Sequence, residues 1–102
     1  IGIGVYFGAL DCRDHGAFIL EVRTEKPCRL EVKAYTTDGK RYSGFFELSS
    51  TWQDLRLPFK QLTLEGLALD ARERVEKIEF QPGTDREGSL LTLGRLRLDP
   101  TP

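Results

Sequence analysis

The chain has 102 residues, 39% of them apolar and 30% charged, with a formal net charge of −1. That is enough for one domain with a single core, and such a chain needs neither metal nor disulfide to fold. It lacks the clustered basic excess of a nucleic-acid binder, and no apolar run approaches the ~18 residues of a membrane span. No signal peptide is read at the start. The chain begins at Ile1 and contains no methionine, as expected of an excised module or a processed chain.

Ile1, Ile3, Val5 and Phe7 alternate with Gly2, Gly4, Tyr6 and Gly8 and predict a first strand whose glycines allow something to pack closely over that face. The polar loop Asp11-Cys12-Arg13-Asp14-His15-Gly16 leads into a second strand, Ala17–Arg23, with Phe18, Leu20 and Val22 on one side. Pro27 breaks it. A third strand, Cys28–Thr36, turns Leu30, Val32 and Ala34 one way and Arg29, Glu31, Lys33 and Tyr35 the other. Asp38-Gly39 is the strongest turn signal, because glycine supplies the positive φ of a tight hairpin. Lys40–Leu48 follows with Tyr42, Phe46 and Leu48 inward and Phe45 outward.

Trp52 opens a fifth strand in which Leu55 and Leu57 share a face, and Pro58 ends it or holds it at an edge. Residues 59–71 read as a looser connection anchored by Phe59, Leu62, Leu64 and Leu67. A short helical turn over Asp70–Arg74 is predicted to feed a strand at Val75–Gln81. The last strand, Leu90–Leu98, changes phase from Leu91 and Leu93 to Leu96 and Leu98 across Gly94-Arg95, as a β-bulge requires. The expected fold is all-β: an antiparallel sandwich over residues 1–99, followed by the tail Pro100-Thr101-Pro102. Its expected interior joins Phe18, Leu30, Val32, Trp52, Leu57 and Leu91, and Tyr6 and Tyr42 are placed close to buried positions.

Little in the chain points to catalysis. The single histidine is His15, and no nucleophile elbow, phosphate loop or His-Glu-x-x-His pattern occurs. Cys12-x-x-His15 supplies half of a zinc site, and Cys28 adds one thiolate at most. Two cysteines are too few for a disulfide scaffold, so two free, half-buried thiols are expected, with no cofactor and no metal. Glu21, Glu31, Glu47, Glu65, Glu73, Glu76, Glu79 and Glu87 mostly alternate with Arg and Lys, the look of a solvated face with cross-strand ion pairs. No enzyme is expected.

Three stretches carry a resemblance: Ala9–His15 leading into Phe18–Arg23, then Thr51-Trp52-Gln53-Asp54-Leu55-Arg56-Leu57-Pro58-Phe59, then Ser89–Leu98. Together they resemble the galactose-binding-domain-like jelly rolls, which include carbohydrate-binding modules and the complex I intermediate-associated family. The resemblance covers most of the chain from Ala9 onward and rests on packing positions. It implies two antiparallel sheets, with the usual N-terminal strands shortened or absent. Metal-binding members hold calcium between acidic groups near both termini; Asp99 matches the C-terminal position, and no acidic N-terminal segment matches the other.

Sugar recognition needs flat aromatic faces for the C–H side of a pyranose and planar polar groups for its hydroxyls. Tyr35 and Phe45 are the best outward aromatics, on strands joined by the Asp38-Gly39 hairpin, with Lys33, Arg41, Glu31, Glu47, Glu79 and Gln81 on the same face. Trp52 is placed in the core by its spacing to Leu55, Leu57 and Phe59. Two functions follow. The first is a non-catalytic carbohydrate-binding module, secreted or at the cell surface, tethered to a larger polypeptide, with Tyr35, Phe45, Lys33, Arg41, Glu47 and Gln81 as ligand contacts. The second is a structural or protein-interaction sandwich packed on a catalytic or partner domain, its outward aromatics forming the interface.

Overall fold

The computed structural model describes residues 3–82 and 91–99. The start of the first predicted strand (Ile1, Gly2), Glu87, Ser89 of the third resembling stretch, Leu90 at the start of the last predicted strand and the 100–102 tail lie outside the described residues. Among the described residues nine strands follow one another: β1 Ile3–Asp11, β2 Ala17–Thr24, β3 Cys28–Thr36, β4 Arg41–Leu48, β5 Gln53–Pro58, β6 Thr63–Leu64, β7 Leu67–Ala68, β8 Arg74–Pro82 and β9 Leu91–Leu98. One 3₁₀ turn, Phe59–Gln61, lies between β5 and β6. The strands form two antiparallel sheets, one of six strands in the order β1-β8-β3-β4-β6-β7 and one of three in the order β5-β2-β9.

Alternation places one side of each sheet in the shared interior. Phe18, Leu20, Val22 and Leu57 come from the small sheet; Leu30, Val32, Ala34, Phe46, Leu48, Val75, Ile78 and Phe80 come from the large one. Each of the larger side chains, once fully buried, contributes ~1.5–3 kcal/mol. The 3₁₀ turn closes one end of the sandwich. Phe59 meets Phe18 at 5.0 Å between ring centroids, tilted by 59°, and Leu62 is fully buried. Gly44 makes that closure possible, since a Cβ there would stand 2.3 Å from the carbonyl oxygen of Gln61.

The β3–β4 hairpin forms around Asp38-Gly39 as expected, as a three-residue loop between Thr36 and Lys40 with Gly39 at φ +90°. The phase change in β9 is a bulge: Leu20 pairs Leu96 and Val22 pairs Leu93, so Glu21 alone opposes Gly94 and Arg95. β1 also shifts register between Tyr6 and Leu10, around Gly8 at φ +85°.

Four expectations need correction. Trp52 is not in the core: it precedes β5 and is 53% exposed. Tyr6 is 71% exposed, on the outer side of β1. Leu67 is exposed as well, because Leu64 and Leu67 flank a two-residue turn, Glu65-Gly66, in which both residues have positive φ. That turn makes a small hairpin of what read as a loose connection, and Leu69 takes the buried place instead. Finally, residues 70–73 form a single turn, not a helix, closed by Glu73 N–H donating to Asp70 O at 2.9 Å. The Asp70 carboxylate accepts from the Arg72 backbone and holds its guanidinium at 2.8 Å. A short polar side chain bonding the backbone two residues on favours a turn over helix propagation.

Candidate functional site on the outer face of the large sheet

Residues directly opposite one another in an antiparallel pair point to the same side. Because Val32, Ala34, Ile78 and Phe80 point inward, the alternate residues of β3 and β8 point to solvent. The register then defines four rows across the outer face. Tyr6, Lys77, Tyr35 and Arg41 lie side by side on β1, β8, β3 and β4. The next row is Gly4, Glu79, Lys33 and Ser43, followed by Gln81, Glu31 and Phe45, and then by Arg29 and Glu47. All six residues singled out in the sequence, Tyr35, Phe45, Lys33, Arg41, Glu47 and Gln81, therefore share one face.

They are not one cluster. Tyr35 lies in the Arg41 row, while Phe45 opposes Glu31, four residues back along β3. At ~3.3 Å per residue the two rings are separated by roughly 13 Å along the strand direction. Tyr35 is held in place: its hydroxyl donates to Glu79 Oε1 at 2.8 Å, and Lys77 Nζ stands 4.5 Å from its ring centroid. That phenol hydrogen bond, with the Lys77 and Lys33 charges, holds the Glu79 carboxyl below the usual carboxylate range. Lys77 also pairs with Glu79 at 3.5 Å, and Lys33 with Glu31 at 3.8 Å. Phe45, 56% exposed, carries the Arg29 guanidinium 5.1 Å from its ring centroid, and Arg29 also reaches Glu47 at 3.6 Å. Each aromatic thus sits in a unit of cation and carboxylate that fixes its orientation.

Tyr6 is the member of this face that the sequence reading placed elsewhere. It stands two strands from Tyr35, roughly 10 Å away, with Lys77 between them.

The polar loop before β2 divides its side chains among structural partners. Asp11 holds Arg13 through paired hydrogen bonds, the shortest 2.7 Å, and its carboxyl is strongly lowered by them. Cys12 is buried, and burial with the nearby Asp11 charge pushes its thiol up to about 11. Both cysteines are free thiols, Cys28 half-buried. His15 Nδ1 contacts the Asp99 carbonyl oxygen, and the buried Asp99 carboxylate is met by the Arg56 guanidinium. A cation therefore already faces the carboxylate that the resemblance sets at a calcium position. Among the described residues, no group of three or more His, Cys, Asp or Glu side chains is placed to hold a metal.

Comparison with protein-family models, curated proteins and solved structures finds no match to this chain.

Proposed function

We propose that this chain is a non-catalytic carbohydrate-binding module of the galactose-binding-like jelly-roll kind, with its ligand lying across the outer face of the six-stranded sheet. One observation carries the reading: Tyr6, Tyr35 and Phe45 all stand on that face, with rows of lysine, arginine, glutamate and glutamine between them. Aromatic rings offer flat apolar contact at low entropic cost, and charged groups form the stronger hydrogen bonds to hydroxyls. The spacing suits a chain of several sugar rings better than a single one. Tyr35, locked by Glu79 and Lys77, is the preorganised centre; Tyr6 and Phe45 are the outlying contacts. As an accessory domain of a larger secreted or surface polypeptide, the module would bring that polypeptide to its glycan.

Isothermal titration calorimetry and affinity electrophoresis against soluble β-glucans, xylans, mannans and pectins test this. Binding to one class, weakened at least tenfold in Tyr35→Ala and Phe45→Ser, is the expected result. Absence of binding across the whole set refutes it.

A second reading is favoured by the cations themselves. Lys77 over Tyr35 and Arg29 over Phe45 already occupy ring surface, and such aromatic–arginine units are common anchors of protein interfaces. On that reading the face packs on a partner domain. Concentration-dependent self-association lost in Phe45→Ser, with the fold retained, would select it.

A further inference from the structure

The opposite side of the molecule, the outer face of the small sheet, carries an exposed tryptophan beside two carboxylates. Glu21 on β2 and Asp54 on β5 are directly opposed in the strand register, two carboxylates on one face. Like charges in that position are destabilising, and each of the two is held by a partner of its own. Glu21 is also fixed in place: its Oε1 accepts the Arg95 backbone N–H at 2.8 Å, across the β9 bulge. Gly94 lies beneath it, where an added Cβ would come within 2.8 Å of Glu21 Cβ. Asp54 is steadied by Arg97 at 3.6 Å.

Beside this pair stands Trp52, the only tryptophan of the chain, more than half exposed, with the Arg23 guanidinium 5.8 Å from its ring centroid. Glu21, Trp52, Gln53 and Asp54 line one shallow groove of about 240 Å³. An exposed indole forgoes the ~1.5–3 kcal/mol or more that burying a large apolar side chain contributes. An opposed carboxylate pair adds a further cost. Sites that bind ligands commonly retain such locally unfavourable arrangements.

The geometry points to a stacking subsite for a neutral sugar ring on Trp52, its vicinal hydroxyls donating to the Glu21 and Asp54 carboxylates. Adjacent hydroxyls of a pyranose donate in parallel, and two carboxylates on neighbouring strands, ~5 Å apart at Cβ, present acceptors at matching spacing. A uronate is repelled by the same two charges. Arg23 and Arg97 orient the ring and one acceptor from outside. This subsite shares its ligand class with the reading above but none of its residues. A chain carrying both would contact glycan from opposite sheets.

Because Trp52 is the sole tryptophan, emission excited beyond the tyrosine absorption band reports this groove alone. The full chain is titrated with cello-, xylo-, manno- and galacto-oligosaccharides. The expected result is a saturable change in Trp52 emission with at least one of them. That change should persist in the Tyr35→Ala/Phe45→Ser double variant and weaken at least tenfold in the near-isosteric Asp54→Asn and Glu21→Gln. Circular dichroism confirms that each variant is folded. Three results overturn the inference: no saturable change with any sugar, a change indifferent to both carboxylate substitutions, or a saturable change produced by Ca²⁺ alone. Loss of the Trp52 response in the large-sheet double variant overturns it too, by tracing the signal to the other face. Failure of the large-sheet variants to alter binding, with the Trp52 response intact, counts against the first site only.

Discussion

Replacing Gly44 by alanine tests whether the 3₁₀ turn is a structural lid on the core. The new Cβ would stand 2.3 Å from Gln61 O and 3.3 Å from both Gln61 C and Phe46 Cε2. Ordinary contact begins near 3.4 Å, so the turn must retreat by about 1 Å. Phe59 and Leu62 bracket that turn and are both buried. Together they contribute ~3–6 kcal/mol, and a gap of that size forfeits a quarter to a half of the packing attraction. The expected loss is therefore about 1–3 kcal/mol, or a fall in Tm of roughly 10 °C for a domain of this size. Urea and thermal unfolding followed by circular dichroism measure it. Gly16→Ala is the matched control: no atom lies within 4 Å of its added Cβ, and the substitution is expected to be neutral or stabilising by ~0.4–1 kcal/mol. If Gly44→Ala unfolds with a midpoint equal to that of the parent, the turn gives way freely and the closure argument is wrong.

Three further outcomes are expected. Asp11, Asp38, Asp70 and Glu79 all have lowered carboxyl pKa values, chiefly from hydrogen bonds to Arg13, Thr36, Arg72 and Tyr35 respectively. Their stabilisation is complete above the unfolded values of 3.8 to 4.5 and is lost as pH falls through the lower folded values. Tm should therefore drop between pH 4 and 2, less steeply in Asp70→Asn and at high salt. Glu65 sits at φ +52° in the β6–β7 turn, a conformation that costs a residue with a side chain ~1–2 kcal/mol, so Glu65→Gly or Glu65→Asn should raise Tm. A titration with a thiol reagent at pH 8 should leave the buried Cys12 unmodified in the native protein, where its pKa is raised to about 11, and modify both cysteines in urea.

Period-two alternation identified β2, β3, β4 and β8 nearly residue by residue, because each buries one face and solvates the other. It also marked the β9 bulge, since the phase of the leucines reverses there. What alternation cannot supply is partnership. That β1 adds to β8, or that β9 joins β2 rather than the large sheet, depends on long-range packing that no local pattern encodes. The β6–β7 hairpin escaped for a different reason: its turn places Glu65, a residue without turn preference, at positive φ.

Both misplaced aromatics were legible all the same. Trp52 shares its parity with Asp54 and Arg56 and opposes that of Leu55 and Leu57; Tyr6 shares its parity with Gly4 and opposes that of Val5 and Phe7. Side-chain size suggested burial in each case, whereas the pleat dictated exposure, and the pleat prevailed because a one-residue slip would have turned a whole strand inside out. The same rule separates folding from recognition here. Phe18 and Phe80, at inward parity, are bound to the core and cost ~3–5 kcal/mol when truncated to alanine. Tyr6, Phe45 and Trp52, at outward parity, contribute little to the interior. Aromatic surface placed where the fold gains least from it is the strongest physical reason to look for a ligand at both sheet faces.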